Sequence, residues 1–506
     1  MRFVSVQQMR AADAAAMRLP ECGGLSLMLR AGNELARVVA RVSRLRGTRR
    51  VVLVAGHGNN GGDIFVAATG LHRDGFSVQV LLTCSPDILK GDALSAFRIL
   101  ERTGVPCLAC PAESDWDAPE LRTGFLLRDG VVVDGVLGTG CRGAPRGTAA
   151  RAIRWINEMR RCACVVAADI PSGMNGDTGE IAGDCVTADC TVTFARPKAA
   201  FAFAPCAERI GSLSVADIGM PDSIADADTL AEVAGVQQLI AEPELRRWLP
   251  PRPWDANKGT FGKLCIVGGS RPYPHAPVLA GLGARASGVG LICLQVPEES
   301  RTAAAVHLPE AILREYTAAL DGYDAVVFGP GRGAPSAEER FSVRARRLVI
   351  DADGLNLLAQ TPNARPAEET EWILTPHPGE AARLLGVSVA DVQKDRPAAV
   401  AALASRYRAV AVLKGAGTLV CEPDGKPWLN RTGNPGMASA GSGDVLAGLI
   451  GGWWAQGIPA FAAACIGVWS HGKAGDLAAL TEGQSALSAR SIIAHLPAGR
   501  LTPPCV

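Results

Sequence analysis

"RVVLVAGHGNNGGD", residues 50 to 63, opens on a run of β-branched residues and closes on two asparagines, two glycines and an aspartate. The run reads as a buried strand. The stretch from Ile64 to Asp74 reads as a helix, so the glycine-rich turn between them lies at the carboxyl end of a strand. Open parallel sheets bind their ligands at that end. Gly61 and Gly62 permit close backbone approach, and the Asn59 and Asn60 amides offer both donors and acceptors. The glycine spacing is not that of the dinucleotide fingerprint, so the turn is a ligand loop of another kind.

The same alternation extends outward from this stretch. "SVQVLLTC", "VVVDGVLG" and "CVVAADIPSG" read as further strands, separated by the helical segments Asp92 to Thr103 and Ala149 to Met159. This is the pattern of a parallel sheet covered by helices. It stops near residue 218, where "IGMPDSIADADTLAEVAG" and the proline-rich "LPPRPWDANKG" contain no comparable strand. A second series then runs through "KLCIVGGS", "GLICLQVP", "YDAVVFGPG", "RLVIDADGL", "EWILTPHPGE" and "RAVAVLKGAGTLV". The expected organisation is an α/β domain over residues 1–220, a linker over 221–258 and a second α/β domain over 259–506, with no repeat relating the two.

Two more loops of the first half occupy the position of the asparagine loop. "DGVLGTGCRGAPRG" begins with Asp134 at a strand end and runs into glycines, Thr139 and Arg142, an anion-tolerant composition. "ADIPSGMNGDTG" places Asp169 and Ser172 at the end of the next strand, where Pro171 fixes the turn. Three such loops converge on one edge of the sheet.

On these motifs the first half resembles the epimerase domain of the bifunctional NAD(P)H-hydrate repair enzymes, a Rossmann-like three-layer sandwich. The opening "SVQQMRAADAAAM" and "LSLMLRAG" are similar to that family's amino-terminal helices, with Leu29 where the family has glutamate. The resemblance implies that Asn59, Asn60, Gly61, Gly62 and Asp63 contact a hydrated nicotinamide nucleotide, NADHX or NADPHX. It implies the same of Gly138, Thr139, Gly140, Cys141, Arg142, Gly143 and Ala144. It further implies a potassium ion held by Asn60, Asp134 and Ser172, and Asp169 as the acid or base contacting substrate during interconversion of the R and S hydrates at C6.

In the second half "LKGAGTLV" puts Lys414 at a strand end without the spacing of a P-loop. "NRTGNPGMASAGSGDVLAG" supplies the missing anion site, since Gly441, Ser442 and Gly443 can turn their N–H groups into a nest at a helix start. Asp444 then stands in the first turn, placed to take a proton from a hydroxyl that attacks phosphate. His377, between two prolines after a strand, suits a pocket wall. Asp351 and Asp353 in "DADGL" are equally suited to binding a metal and to capping a helix.

This half resembles the ribokinase-like superfamily, and within it the ADP-dependent NAD(P)H-hydrate dehydratases, through "IVGGS", "VVFGPGRG", "VIDADGLNLL", "ILTPHPGEAARLL", "LKGAGT" and "GMASAGSGDVLAG". The resemblance implies AMP or ADP contacts at Lys414, Gly415, Ala416, Gly417, Thr418 and Gly443. It places the hydrated nucleotide near Ala276, Gly331, His377 and Asp444, with Asp444 catalytic and ADP as phosphoryl donor with Mg2+. His275 stands where the family has glycine and is expected to narrow the pocket or shift its edge.

Composition removes other classes. The 51 basic and 50 acidic residues leave a formal charge of +1, which favours neither nucleic acid nor an anionic membrane. Small molecules and other copies of the chain are the expected partners. Fifteen scattered cysteines without a secretory leader suit reduced thiols in the cytoplasm. The "CLAC" pair Cys107 and Cys110 has zinc-ligand spacing but no companion cluster, and Cys162 and Cys164 read as same-face residues of a strand. No charged residue occurs between Asp444 and His471, yet Gly451, Gly452, Gly457 and Pro459 divide that stretch into two short buried helices rather than a membrane span. A small-molecule kinase of the ribokinase-like fold explains the second half alone. A non-catalytic binding protein leaves both Asp169 and Asp444 unused.

Overall fold

The computed structural model describes residues 1–119, 121, 130–203, 206–316, 320–361, 363–499 and 501. The chain forms two compact units, Met1–Ala234 and Gly235–Val506.

The first unit holds a parallel sheet of seven strands: β1 (Arg50–Ala55), β2 (Ser77–Leu82), β3 (Cys107–Ala109), β4 (Val131–Gly135), β5 (Cys164–Ala168), β6 (Cys190–Phe194) and β7 (Ser212–Ala216). Their order is β3-β2-β1-β4-β5-β6-β7. Helices α1 (Val6–Ala16), α2 (Gly24–Leu45), α3 (Asn59–Arg73) and α4 (Gly91–Glu101) accompany the sheet, together with the Gly147–Met159 helix. Four of the strands match the alternation read from sequence. The other three were missed because β3 is an exposed edge of three residues and β6 and β7 interleave threonine and serine with their apolar positions. Cys162 lies in the turn before β5 rather than in the strand, so it does not share a face with Cys164. Chain order reverses direction across β1 and β4, and the asparagine loop and the Asp134 loop flank that switch point. Helix α3 begins inside the asparagine loop, at Asn59. Gly61 is required there, since a Cβ would stand 1.9 Å from the Gly56 carbonyl oxygen.

The second unit contains ten strands: β8 (Gln238–Leu239), β9 (Lys263–Val267), β10 (Leu291–Gln295), β11 (Ile312–Arg314), β12 (Ala325–Phe328), β13 (Arg347–Ile350), β14 (Glu371–Leu374), β15 (Val410–Leu413), β16 (Leu419–Cys421) and β17 (Trp428–Leu429). Their order is β11-β10-β9-β12-β13-β14-β15-β16-β17-β8. Pairing is parallel except that β16 runs antiparallel to both β15 and β17. The switch point lies between β9 and β12.

The uncharged stretch after Asp444 forms the Ser442–Ala455 and Ala460–Glu482 helices, of 14 and 23 residues. Only the Gln456–Pro459 turn divides them, and the second is not short. Gly451 and Gly452 lie inside the first helix. Glycines in this helix serve close packing: a Cβ on Gly448 would meet the Ala280 carbonyl oxygen at 1.8 Å. The Ala276–Ser287 helix therefore lies directly against it, and Val445, Leu449, Ile450 and Trp454 of this helix are all buried. Each such side chain contributes about 1.5–3 kcal/mol of burial. Among the described residues no helix is long and apolar enough to cross a membrane.

Candidate active sites

The first site is a cavity of about 560 Å3 at the carboxyl ends of β1, β4, β5 and β6. Asn59, Asn60, Asp63, Gly138, Thr139, Gly140, Cys141 and Asp169 line it. Gly61 and Gly62 instead pack against backbone and Met28 beneath α3. Arg142, Gly143 and Ala144 are exposed beyond the lining.

Asp169 ends β5 with φ 60°, a left-handed conformation that a non-glycine residue adopts at a cost. That turn aims its carboxylate at Lys198, whose Nζ donates to Asp169 Oδ1 at 2.5 Å and also lies 3.0 Å from Thr193 Oγ1 and 3.1 Å from the Phe194 carbonyl. The Thr193 hydroxyl and the Phe194 N–H donate to the same oxygen. Lys198 is 1% exposed, so its charge is fully committed to this cluster.

Two more carboxylates face the cavity. Burial raises the Asp13 carboxyl to about 6, with Lys198 opposing and Asp169 adding to the shift. Asp63 is pushed well up by burial, then by the neighbouring charges of Asp169 and Asp13. Sequence reasoning missed Lys198 and Asp13. The signals were present: Lys198 follows the alternating "CTVTF", and the Ser5/Gln8 capping box opens α1, whose face carries Met9, Asp13 and Met17 at helical spacing.

Asp134, Ser172 and Asn60 meet beneath the cavity. The Ser172 hydroxyl donates to Asp134 Oδ1 at 2.6 Å and its N–H to Oδ2 at 2.8 Å. Burial raises the Asp134 carboxyl to about 6 against these hydrogen bonds. Asn60 Nδ2 donates to the Leu137 carbonyl at 3.0 Å, which leaves Asn60 Oδ1 buried without a partner.

The second site is built around Lys414. Its Nζ donates to Asp351 Oδ1 at 2.8 Å, lies 3.9 Å from Glu380 Oε2, and sits 3.3 Å from where a Cβ on Gly443 would be. Lys414 thus links the end of β15 to the first turn of the Ser442–Ala455 helix, which Gly441 enters at φ 86°. Burial disfavours its charge, but Asp351 and Glu380 prevail and hold its pKa above the ordinary value. Asp444 is raised to about 7, first by burial and then by Asp351, while Lys414 opposes. Glu380 is likewise raised to about 7 by burial.

Asp351 also accepts from Thr375 Oγ1 at 2.8 Å, and Asp353 opens the Asp353–Ala359 helix while accepting from the Gly333 N–H at 2.8 Å. Their sequence offered metal binding or helix capping; here they are occupied by a lysine and by a loop. Among the described residues no group of three His, Cys, Asp or Glu side chains is placed to hold a metal ion.

His377 caps the Pro378–Leu385 helix, its Nδ1 accepting from the Gly379 and Glu380 N–H groups at 3.0 and 3.3 Å. Burial, Lys414 and Arg383 keep it below the usual imidazole value. Ala276 and Gly331 adjoin one another, and His275 is an exposed residue at the start of the Ala276–Ser287 helix. The Gly415–Thr418 turn is fastened by Arg396, which donates to the carbonyls of Leu413, Lys414 and Gly417 at 3.2, 3.2 and 3.4 Å. Nothing adjacent in sequence marked Arg396, 18 positions before Lys414.

Two α/β units, each collecting carboxylates around one lysine at strand ends, define a two-site enzyme acting on small molecules. Family models agree unit by unit: residues 24–200 match the YjeF-related protein N-terminus, and residues 264–498 match NAD(P)H-hydrate dehydratase. The bifunctional NAD(P)H-hydrate repair enzyme Nnr of Moorella thermoacetica is 38% identical over 89% of this chain and 87% of its own length. The Escherichia coli protein of that name is 35% identical over 96% and 90%. A solved ADP/ATP-dependent NAD(P)H-hydrate dehydratase from Bacillus subtilis, co-crystallised with ATP and Mg2+, is 32% identical, covering 52% of this chain and 97% of its own with a TM-score of 0.48. The chain belongs to the bifunctional NAD(P)H-hydrate repair enzyme family.

Proposed function

We propose that the first unit interconverts the R and S hydrates of NADH and NADPH at C6, and that the second dehydrates the S form with ADP as phosphoryl donor. The observation that carries the reading is the pairing of a raised carboxyl, Asp444, with Lys414 and the Gly441–Gly443 backbone at one helix start.

Asp444 takes the proton of the C6 hydroxyl while that oxygen attacks the β-phosphorus of ADP, and AMP leaves. The nest and Lys414 stabilise charge growing on the phosphoryl oxygens. The C6–O bond of the ester then breaks with loss of the C5 proton, phosphate departs, and the ring double bond is restored. Phosphorylation converts a poor leaving group, hydroxide, into a good one. Lys414 already occupies the space between Asp351 and Glu380, so these residues do not form a protein-held Mg2+ site; magnesium belongs on the phosphates of ADP.

In the first unit Asp169 is the acid/base group and Lys198 orients it. The all-oxygen set of Asn60 Oδ1, Asp134 and Ser172, with one buried oxygen unpartnered, fits potassium. When bound, the ion supplies fixed positive charge to a carboxamide or phosphate oxygen. The free thiols of the described residues support a reducing compartment, the cytoplasm.

The test is recovery of dihydronicotinamide absorbance from racemic NADH hydrate in potassium buffer with ADP, with ATP and without nucleotide. Complete recovery with ADP requires both activities, because dehydration alone stops when the S form is consumed. No recovery with either nucleotide returns the second unit to a small-molecule kinase.

A further inference from the structure

At the opposite end of the second sheet from the dehydratase loops lies a smaller cavity of about 220 Å3. Lys263, Leu291 and Gly322, at or before the amino ends of β9, β10 and β12, line it together with Cys293, Arg314 and Tyr323. The proposed reaction uses none of these residues.

Cys265 on β9 and Cys293 on β10 stand directly opposite one another in the parallel register. Their sequence neighbours Leu264, Ile266, Ile292 and Leu294 all enter the helix-covered core cluster, so the two thiols point together to the other face of the sheet. The next strand outward brings Ile312 opposite Cys293, and Arg314 follows on the same face. The Tyr323 hydroxyl donates to Cys293 Sγ at 3.1 Å, and Cys265 is the register partner of the same residue. The neighbouring Cys265 thiol, the Tyr323 donor and the nearby Arg314 favour a Cys293 thiolate over the burial that opposes it, and Cys265 is held protonated. Cα atoms of adjacent strands are about 4.8 Å apart, within the span a disulfide bridges.

We propose that Cys293 and Cys265 form a peroxide-reactive thiol pair, with Cys293 attacking hydrogen peroxide in this cavity and Cys265 resolving the product to a disulfide. The Cys293 thiolate bonds to one peroxide oxygen, the O–O bond breaks, and the other oxygen takes a proton and leaves as water. Cys265 sulfur then attacks the Cys293 sulfenic acid; the S–O bond breaks, and hydroxide leaves with the Cys265 proton as a second water. Two thiols and hydrogen peroxide give one disulfide and two waters. The cavity is large enough for a hydroperoxide, since a water occupies about 30 Å3 of liquid volume.

Cys107 is an internal control. It is the one exposed cysteine among the described residues, and desolvation by its neighbours, followed by the charge of Glu101, raises its thiol to about 11. The full-length protein is exposed to hydrogen peroxide at neutral pH, alkylated, and mapped by peptide mass spectrometry without reduction. A Cys265–Cys293 linked peptide is expected to accumulate at least about tenfold faster than oxidation of Cys107, and to vanish on reduction. Cys265→Ser is expected to halt Cys293 as a sulfenic acid captured by dimedone, and Cys293→Ser to leave Cys265 unmodified. Oxidation of Cys107 first, or absence of the linked peptide, overturns the proposal. The wild-type comparison alone decides it if a serine variant fails to fold.

Discussion

Replacing Lys414 by Met removes the cation that Asp351 and Glu380 share while leaving a side chain of similar length. Asp351 is 2% exposed at its side chain and accepts from Nζ at 2.8 Å. At that distance the gross attraction is about 6 kcal/mol for an effective dielectric near 20. The loss cannot reach that figure, because the stranded carboxylate can protonate. Neutralising an ordinary aspartate of pKa about 3.9 at pH 7 costs about 4 kcal/mol, which matches the roughly 3–5 kcal/mol typical of a broken buried pair. The expected loss is therefore about 4 kcal/mol at pH 7. The folded variant then carries a proton that its unfolded chain lacks, so its stability rises as pH falls toward the ordinary aspartate value. The deficit against wild type should shrink by about 2 kcal/mol between about pH 7 and about pH 5.5. Glu380 and Asp444 titrate in both proteins and contribute less to the difference. Urea denaturation of both proteins at the two pH values, followed by fluorescence of the buried Trp453 and Trp454, measures it. A deficit that stays constant with pH would refute the idea that Lys414 neutralises these carboxylates.

Asp444→Asn should lower dehydration by about 10²–10⁴-fold while ADP affinity by calorimetry changes by less than about threefold. Because the ionised form is the base and its carboxyl is raised to about 7, the wild-type dehydration rate should climb with pH through about 7; a flat profile there removes Asp444 from the role. Epimerisation, followed by chromatographic separation of the R and S hydrates, should show a limb near pH 6 from Asp13 that disappears in Asp13→Asn. Gly61→Ala would press a Cβ to within 1.9 Å of the Gly56 carbonyl, a backbone atom that cannot swing away. It should destabilise the first unit by about 1–3 kcal/mol and reduce epimerisation more than dehydration, which activity assays after mild heating will separate.

The strands whose apolar runs are unbroken were legible in the sequence, because burial on both faces of a parallel sheet leaves a continuous β-branched signature. So were the loops after them: glycines at Gly61 and Gly443 and acids at Asp169 and Asp444 are local features of a turn, a helix start and a strand end. Edge strand β3 was not legible, since an exposed strand of three residues has no pattern to repeat. Nor was the continuity of the Ser442–Ala455 helix, because Gly451 and Gly452, which read as breaks, serve instead as close contacts with Val327 of the sheet and with Ser287.

The residues that only the fold could supply are those that act across it. Lys198 reaches Asp169 from 29 positions away, Lys414 reaches Asp351 from 63, and Arg396 holds the Gly415 turn from another element. Cys265 and Cys293 become partners only through the register of β9 on β10. The sequence by itself determined the two α/β units and the composition of their loops, because propensity, periodicity and turn geometry are properties of neighbouring residues. Which buried cation meets which carboxylate was decided by tertiary structure, because a charge in a low-dielectric interior is set by whatever the strands bring within a few ångströms of it.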